Sequence, residues 1–230
     1  MRTFKTIIIT IILLGIIASC IPVMSPVIIT PPNPRIKQLH AVYENKSLEQ
    51  ILKEEISKSP IKVIIGNNID FKKEYLIPNN LNFENYENVI GIFSTNSKIT
   101  EKYPKVFIFL NEKNRIGLQI TTLYHELGHY NCHRTGCPCL NSPVKIVAEY
   151  HAFESQIEMS IVSGQIEVMK ETIYSILTLS LSEDTSAAHK MAAEVIMEKP
   201  IFLNLITLYS NKAKLYDSEN FADSLFPPEK

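Results

Sequence analysis

Glycine is the first shortage. The 230-residue chain contains seven, and a phosphate-cradling P-loop or a dinucleotide fingerprint would use several of them within one turn. Neither pattern occurs. Charge of one sign is also lacking: 23 Lys and Arg face 24 Asp and Glu, a net charge of −1. No basic stripe runs along the chain, so the electrostatic footprint of a nucleic-acid binder is absent. There is no internal repeat. What remains is 45% hydrophobic and 20% charged, which suits one globular domain long enough to bury a real core.

The four cysteines are unevenly placed. Three lie at 132–139 and one, Cys20, ends the stretch "MRTFKTIIITIILLGIIASC". That stretch has a basic start, an apolar centre and small residues at its end, the layout of a secretory signal. The ending "IASC" resembles the lipobox of bacterial lipoproteins, which implies a signal peptide over 1–19 and a lipidated Cys20. The alternative is an uncleaved anchor extended through "IPVMSPVII", although Pro22 and Pro26 weaken such a helix. A plain cleaved signal is the remaining reading; in all three the chain is expected to be exported, and the lipoprotein reading holds it at a bacterial membrane with its domain in the periplasm or cell-envelope space. Residues 20–36 contain five prolines and read as an extended tether. The domain is expected over 37–217, with a loose tail at 218–230.

Within the domain, Ser47 and Gln50 form a capping box ahead of Leu48, Ile51, Leu52 and Ile56 at helical spacing. Strands are expected at 61–66 ("IKVIIG"), 88–94 ("NVIGIFS") and 105–111 ("KVFIFLN"), with a polar, asparagine-rich stretch between the first two. A helix should run from about Arg115 to Cys132, ended by Gly136 and Pro138. From Ser142 onward the apolar spacing is helical throughout, in four segments covering 142–163, 165–182, 183–199 and 200–216. A small sheet of three or more strands followed by a helical half is an α+β order.

"HELGH", His125 to His129, lies inside the helix expected from about Arg115 to Cys132. Residues four apart sit about 40° apart around a helix axis, so both imidazoles can reach one ion. Glu126, on the neighbouring edge, can hold an attacking water and take its proton. Ile116, Ile120, Leu123 and Leu127 supply the packing face. A catalytic zinc takes three protein ligands. A third histidine in the extended H-E-x-x-H-x-x-G-x-x-H spacing would fall at Thr135, with the glycine at Cys132, so that arrangement is excluded. His133 lies about 12 Å along the axis from His125 and suits the helix end instead. The next helix offers two carboxylates. Glu149 has Ile146, Ala152 and Phe153 as helical neighbours, and a carboxylate on an apolar face needs a reason to be there. Glu154, beside Tyr150, His151 and Glu158, reads as a solvated residue and is the alternative.

The segment 105–154 resembles the zincin metallopeptidases, and among them the ImmA/IrrE-like group, which uses glutamate as its third ligand. The likeness rests on a strand ending in Leu110-Asn111, a short turn, the H-E-x-x-H helix, and Glu149 three residues before Ala152. It implies a compact zincin-like fold in which His125, His129 and Glu149 bind one catalytic Zn²⁺ and Glu126 is the general base. It also implies a protein or peptide substrate, cut internally rather than from an end. Two features depart from the group: the apparent export, and the "CHRTGCPC" stretch after the helix.

A further donor usually steadies the oxyanion in such chemistry. His151 and Tyr150 are the candidates by position, with Tyr130 and Tyr174 behind them. Outside the cytoplasm, Cys132 with Cys137 or Cys139 can close a disulfide loop. Cys132, His133, Cys137 and Cys139 could instead hold a second metal, or stay unbonded. The functional alternative to a tethered peptidase is a binding or exclusion lipoprotein that keeps the fold without turnover.

Overall fold

The computed structural model describes residues 43, 46–81, 89–95, 102–136, 145–183 and 185–220, all within one unit, Arg35–Lys230. The elements in chain order are α1 (Leu48–Lys58), β1 (Lys62–Gly66), α2 (Asn68–Phe71) continuing into a π turn (Lys72–Leu76), β2 (Gly91–Ser94), β3 (Phe107–Asn111), α3 (Ile116–Arg134), α4 (Lys145–Ser163), α5 (Ile166–Leu181), α6 (Ala187–Met197) and α7 (Pro200–Asn220). The fold is α+β, with a three-stranded sheet first and a helical half after it. None of these helices is long and apolar enough to cross a membrane.

The sheet order is β1-β3-β2. β1 runs parallel to β3, with Lys62 opposite Phe107, and β2 runs antiparallel, with Phe93 opposite Ile108. The near-continuous apolar run "FIFLN" makes β3 the central strand, buried at every position. Its side chains alternate. Ile108 and Leu110 face one core with Ile51, Leu52, Ile120, Leu123, Tyr124 and Leu127. Phe107 and Phe109 face another with Phe71, Tyr75, Leu76 and Tyr103. There the rings of Phe71 and Phe109 stack with centroids 4.0 Å apart.

The asparagine-rich stretch after β1, read from sequence without an element, supplies this second cover. Asn67 caps α2 by accepting from the Asp70 N–H at 2.8 Å. The chain then widens into a π turn, with the Ile77 N–H on the Lys72 carbonyl at 3.0 Å. The wider turn places Phe71, Tyr75 and Leu76 on the sheet; Phe71 and Tyr75 keep a helical spacing of four, but Leu76, five residues from Phe71, departs from the 3.6-residue period by which a helix is recognised.

The capping box at Ser47–Gln50 forms as expected. α3 ends two residues later than expected, at Arg134, and the turn after it has Gly136 at φ +63°. α6 begins at Ala187 rather than 183, because Ser186 is the cap that accepts from the His189 N–H. α7 reaches Asn220, so Ser218–Asn220, read as tail, are helical. A third core joins α4, α5, α6 and α7 through Phe153, Ile157, Met169, Ile176, Ala192, Ala193, Ile196, Phe202 and Leu205. α3 lies between the sheet and the helical half and is buried along most of 117–128. Cys20, the tether, Cys137, Pro138, Cys139 and Ser142 lie outside the described residues.

Candidate metal centre

Two glycines let other elements close on α3. A Cβ added to Gly128 would stand 2.8 Å from the Ala152 Cα and 2.9 Å from the Ser155 Cβ, so α3 and α4 cross there in backbone contact. Glu149, nearly one turn before Ala152, is thereby carried to the two histidines that flank Gly128. A Cβ on Gly91 would stand 3.1 Å from the Phe109 carbonyl oxygen and collide with Thr122 of α3. That approach brings β2 against the motif helix.

His125, His129 and Glu149 offer three ligand atoms within 4.8 Å of one another. Both imidazole Nε2 atoms lie 3.3 Å from the same carboxylate oxygen, Glu149 Oε2. Two atoms each about 2.0–2.1 Å from a tetrahedral ion are about 3.3 Å apart, so the spacing fits a shared metal. The three form a group that can hold a metal ion. All are largely enclosed, with 10–14% of their side chains exposed. Burial works against the Glu149 carboxylate. Hydrogen bonds from His125 and His129, with the charges of His129 and His189, outweigh it and hold the carboxyl below the usual range. Burial likewise opposes a charged His129, but the bond to Glu149 and the charges of Glu126 and Glu149 raise it.

Glu126 is buried on the sheet side. In the β2–β3 pairing the Asn111 N–H meets the Ile90 carbonyl, so Ile90, Ile92 and Ser94 turn their backbone groups to β3 while Gly91 and Phe93 turn theirs outward. The outward Phe93 N–H donates to Glu126 Oε2 at 2.8 Å. The carboxylate is oriented by a rigid strand, and Oε1 remains for another partner.

The residues proposed from sequence as further donors point to Glu154 instead. The Tyr150 hydroxyl donates to Glu154 Oε1 at 2.8 Å, and His151 Nδ1 lies 3.1 Å from Oε2. Partial burial and the Glu154 bond push the Tyr150 phenol up to about 12. Tyr174 is exposed, and the Tyr130 ring packs against Phe93. His133 is exposed at the helix end beside Phe93. Cys132 is a buried free thiol.

Two side chains at the site escaped the sequence reading. His189 of α6 places Nε2 3.0 Å from Glu149 Oε2 and stacks on His125 at 6.0 Å. Its partial burial lowers the imidazole, which Glu149 opposes and the charges of His125 and His129 reinforce. Gln156 of α4 lies 3.1 Å from His125 Nδ1. The signal that flagged Glu149 was available for both. His189 precedes the buried Ala192 and Ala193 by three and four residues, and Gln156 sits between Phe153 and Ile157, so each is a polar group on an apolar helix face. The chain matches no protein-family model, no curated protein and no solved structure.

Proposed function

We propose that the chain is a membrane-tethered zinc metallopeptidase of the zincin type. The supporting observation is the convergence of His125, His129 and Glu149 on one point beside a carboxylate, Glu126, fixed at the edge of the sheet. Two imidazoles and one carboxylate are a donor set typical of catalytic zinc, with the fourth place left to water or substrate. A bound zinc ion supplies Lewis acidity, polarising the scissile carbonyl and making water a stronger acid. The chain's residues do the rest. The Phe93 N–H holds Glu126 by one oxygen, so the other accepts the proton of the attacking water and delivers it to the leaving amine. The tether and lipidated Cys20 of the sequence reading would hold this chemistry at a bacterial membrane.

His189 favours a second reading. A fourth donor on the metal would close the site and make it structural. Only three of the four groups converge within 4.8 Å, and that supports the open, catalytic arrangement. The test is Glu126→Gln. It should keep one zinc per chain and lower peptide cleavage by about 10²–10⁴-fold, read by zinc analysis and a proteome-wide cleavage profile. Undiminished cleavage by the variant would remove Glu126 from the chemistry.

A further inference from the structure

The side of His125 away from Glu149 meets a network of hydroxyls whose direction can be deduced. Two backbone carbonyls anchor it, and a carbonyl only accepts. The Ser160 hydroxyl donates to the Gln156 carbonyl at 2.6 Å, so its one proton is committed. Ser160 therefore accepts from Thr172 across 2.6 Å. Thr172 in turn accepts from Thr121, its other hydroxyl partner. Thr121 then has only acceptor capacity left, and the group facing it, 2.9 Å away, must be the amide nitrogen of Gln156. The second anchor agrees. Ser175 donates to the Thr172 carbonyl at 3.0 Å, so it too must accept from that nitrogen, at 3.0 Å. Both donors of the Gln156 amide are thus spent, and Oε1 must face His125 Nδ1. Thr121, Gln156, Ser160 and Thr172 are all buried, so water does not compete for these bonds.

We infer that this one-way relay sets the tautomer of His125 from a distance: Gln156 is a positioning residue, and Thr172 and Ser175, which do not touch the histidine, dictate which way its amide points. With Oε1 accepting, Nδ1 keeps its proton when a metal ion takes the lone pair of Nε2, the nitrogen that faces Glu149 Oε2 in the metal-free protein. A reversed amide would offer a donor to Nδ1, move the proton to Nε2 and disarm it as a ligand. The inference rests on the metal-site part of the proposed function and not on peptide hydrolysis.

The test compares the full chain with Thr172→Val/Ser175→Ala, which removes one relay hydroxyl and one amide acceptor, and with Thr172→Ser, which keeps the relay. Nitrogen-15 imidazole spectra are recorded on the proteins saturated with zinc, His125 being assigned by the signal missing from His125→Gln. Zinc affinity is measured by competition with a chromophoric chelator. Wild type and Thr172→Ser should show the same His125 Nδ1–H, held in its hydrogen bond and slow to exchange with water. The double variant should show that proton shifted and exchanging faster, and should bind zinc about tenfold more weakly. Gln156→Leu, which removes the acceptor outright, should lose about 10–100-fold. A double variant whose His125 signature is unchanged overturns the inference, whether or not its affinity falls, because a fall alone would mean damaged packing. No substrate enters these measurements, so a chain that cleaves nothing can still pass them.

Discussion

Toward the sheet, α3 meets Ile108, Leu110 and the backbone of β2. Toward α4 and α5 it meets Gln156, Thr172 and the Glu149 carboxylate. One flank is apolar and contributes a single polar contact, a backbone N–H; the other is a chain of side-chain hydroxyls, an amide and a carboxylate. The general base belongs to the first flank, whereas the ligands His125 and His129 turn to the second. Substitutions on the sheet side should therefore change stability and leave metal binding intact. On the helix side they should change metal binding even when stability moves little.

The strongest blow to the sheet side is Leu110→Ala. Its side chain is fully buried, so unfolding in urea should come earlier by about 2–5 kcal/mol, with one metal ion still bound per folded chain. If metal is lost in proportion, the flanks are not independent. Gly128→Ala attacks the other flank. The added methyl meets the α4 backbone and should cost about 1–3 kcal/mol, with metal affinity falling because Glu149 is pushed off the histidines; affinity unchanged by chelator competition would show that the close crossing does not assemble the site.

His189→Ala sharpens the helix-side account further. As a neighbour of Glu149 and not a ligand, it should leave metal stoichiometry at one per chain, and X-ray absorption should count the same protein donors before and after. A lost donor would place His189 on the ion. The smallest effect concerns acid. The Glu149 carboxyl is held below its ordinary value of 4.5, so in the metal-free protein its stabilisation is present above pH 4.5 and is lost as pH falls toward the depressed value. Wild type and Glu149→Gln should therefore draw together in thermal stability as pH falls from 4.5 toward the depressed value at which the folded carboxylate takes up its proton; curves that remain parallel would mean the carboxylate contributes nothing there.

Some of this was legible in the residues and some was not, for definite reasons. "KVFIFLN" announces a strand covered on both faces, and β3 is that strand. "HELGH" announces its own geometry, since i and i+4 share a helix face. Glu149 could be read as a carboxylate among apolar neighbours, and the fold brings it to both histidines. The cover at 68–76 could not be read, because its α-helix is only four residues long and the π turn after it brings Leu76, five residues from Phe71, to the same core. His189 and Gln156 had the signal of a polar group on an apolar face but were not tested against it, one lying far along the chain and the other uncharged. The Phe93 N–H has no side-chain signal at all; only the direction in which an edge strand turns its backbone reveals it.

The burial of α3 on both flanks also sets how the site can move. Residues 117–128 have almost no access to solvent, so their amides can exchange with deuterium only through wide opening of the domain, among its slowest. An ion cannot reach its ligands by local fraying of that helix. Among the described side chains of the group, His189 of α6 is the most open, 37% exposed and 3.0 Å from Glu149. The rate of metal exchange should then follow the fluctuations of α6 and be insensitive to those of the helix that carries the histidines.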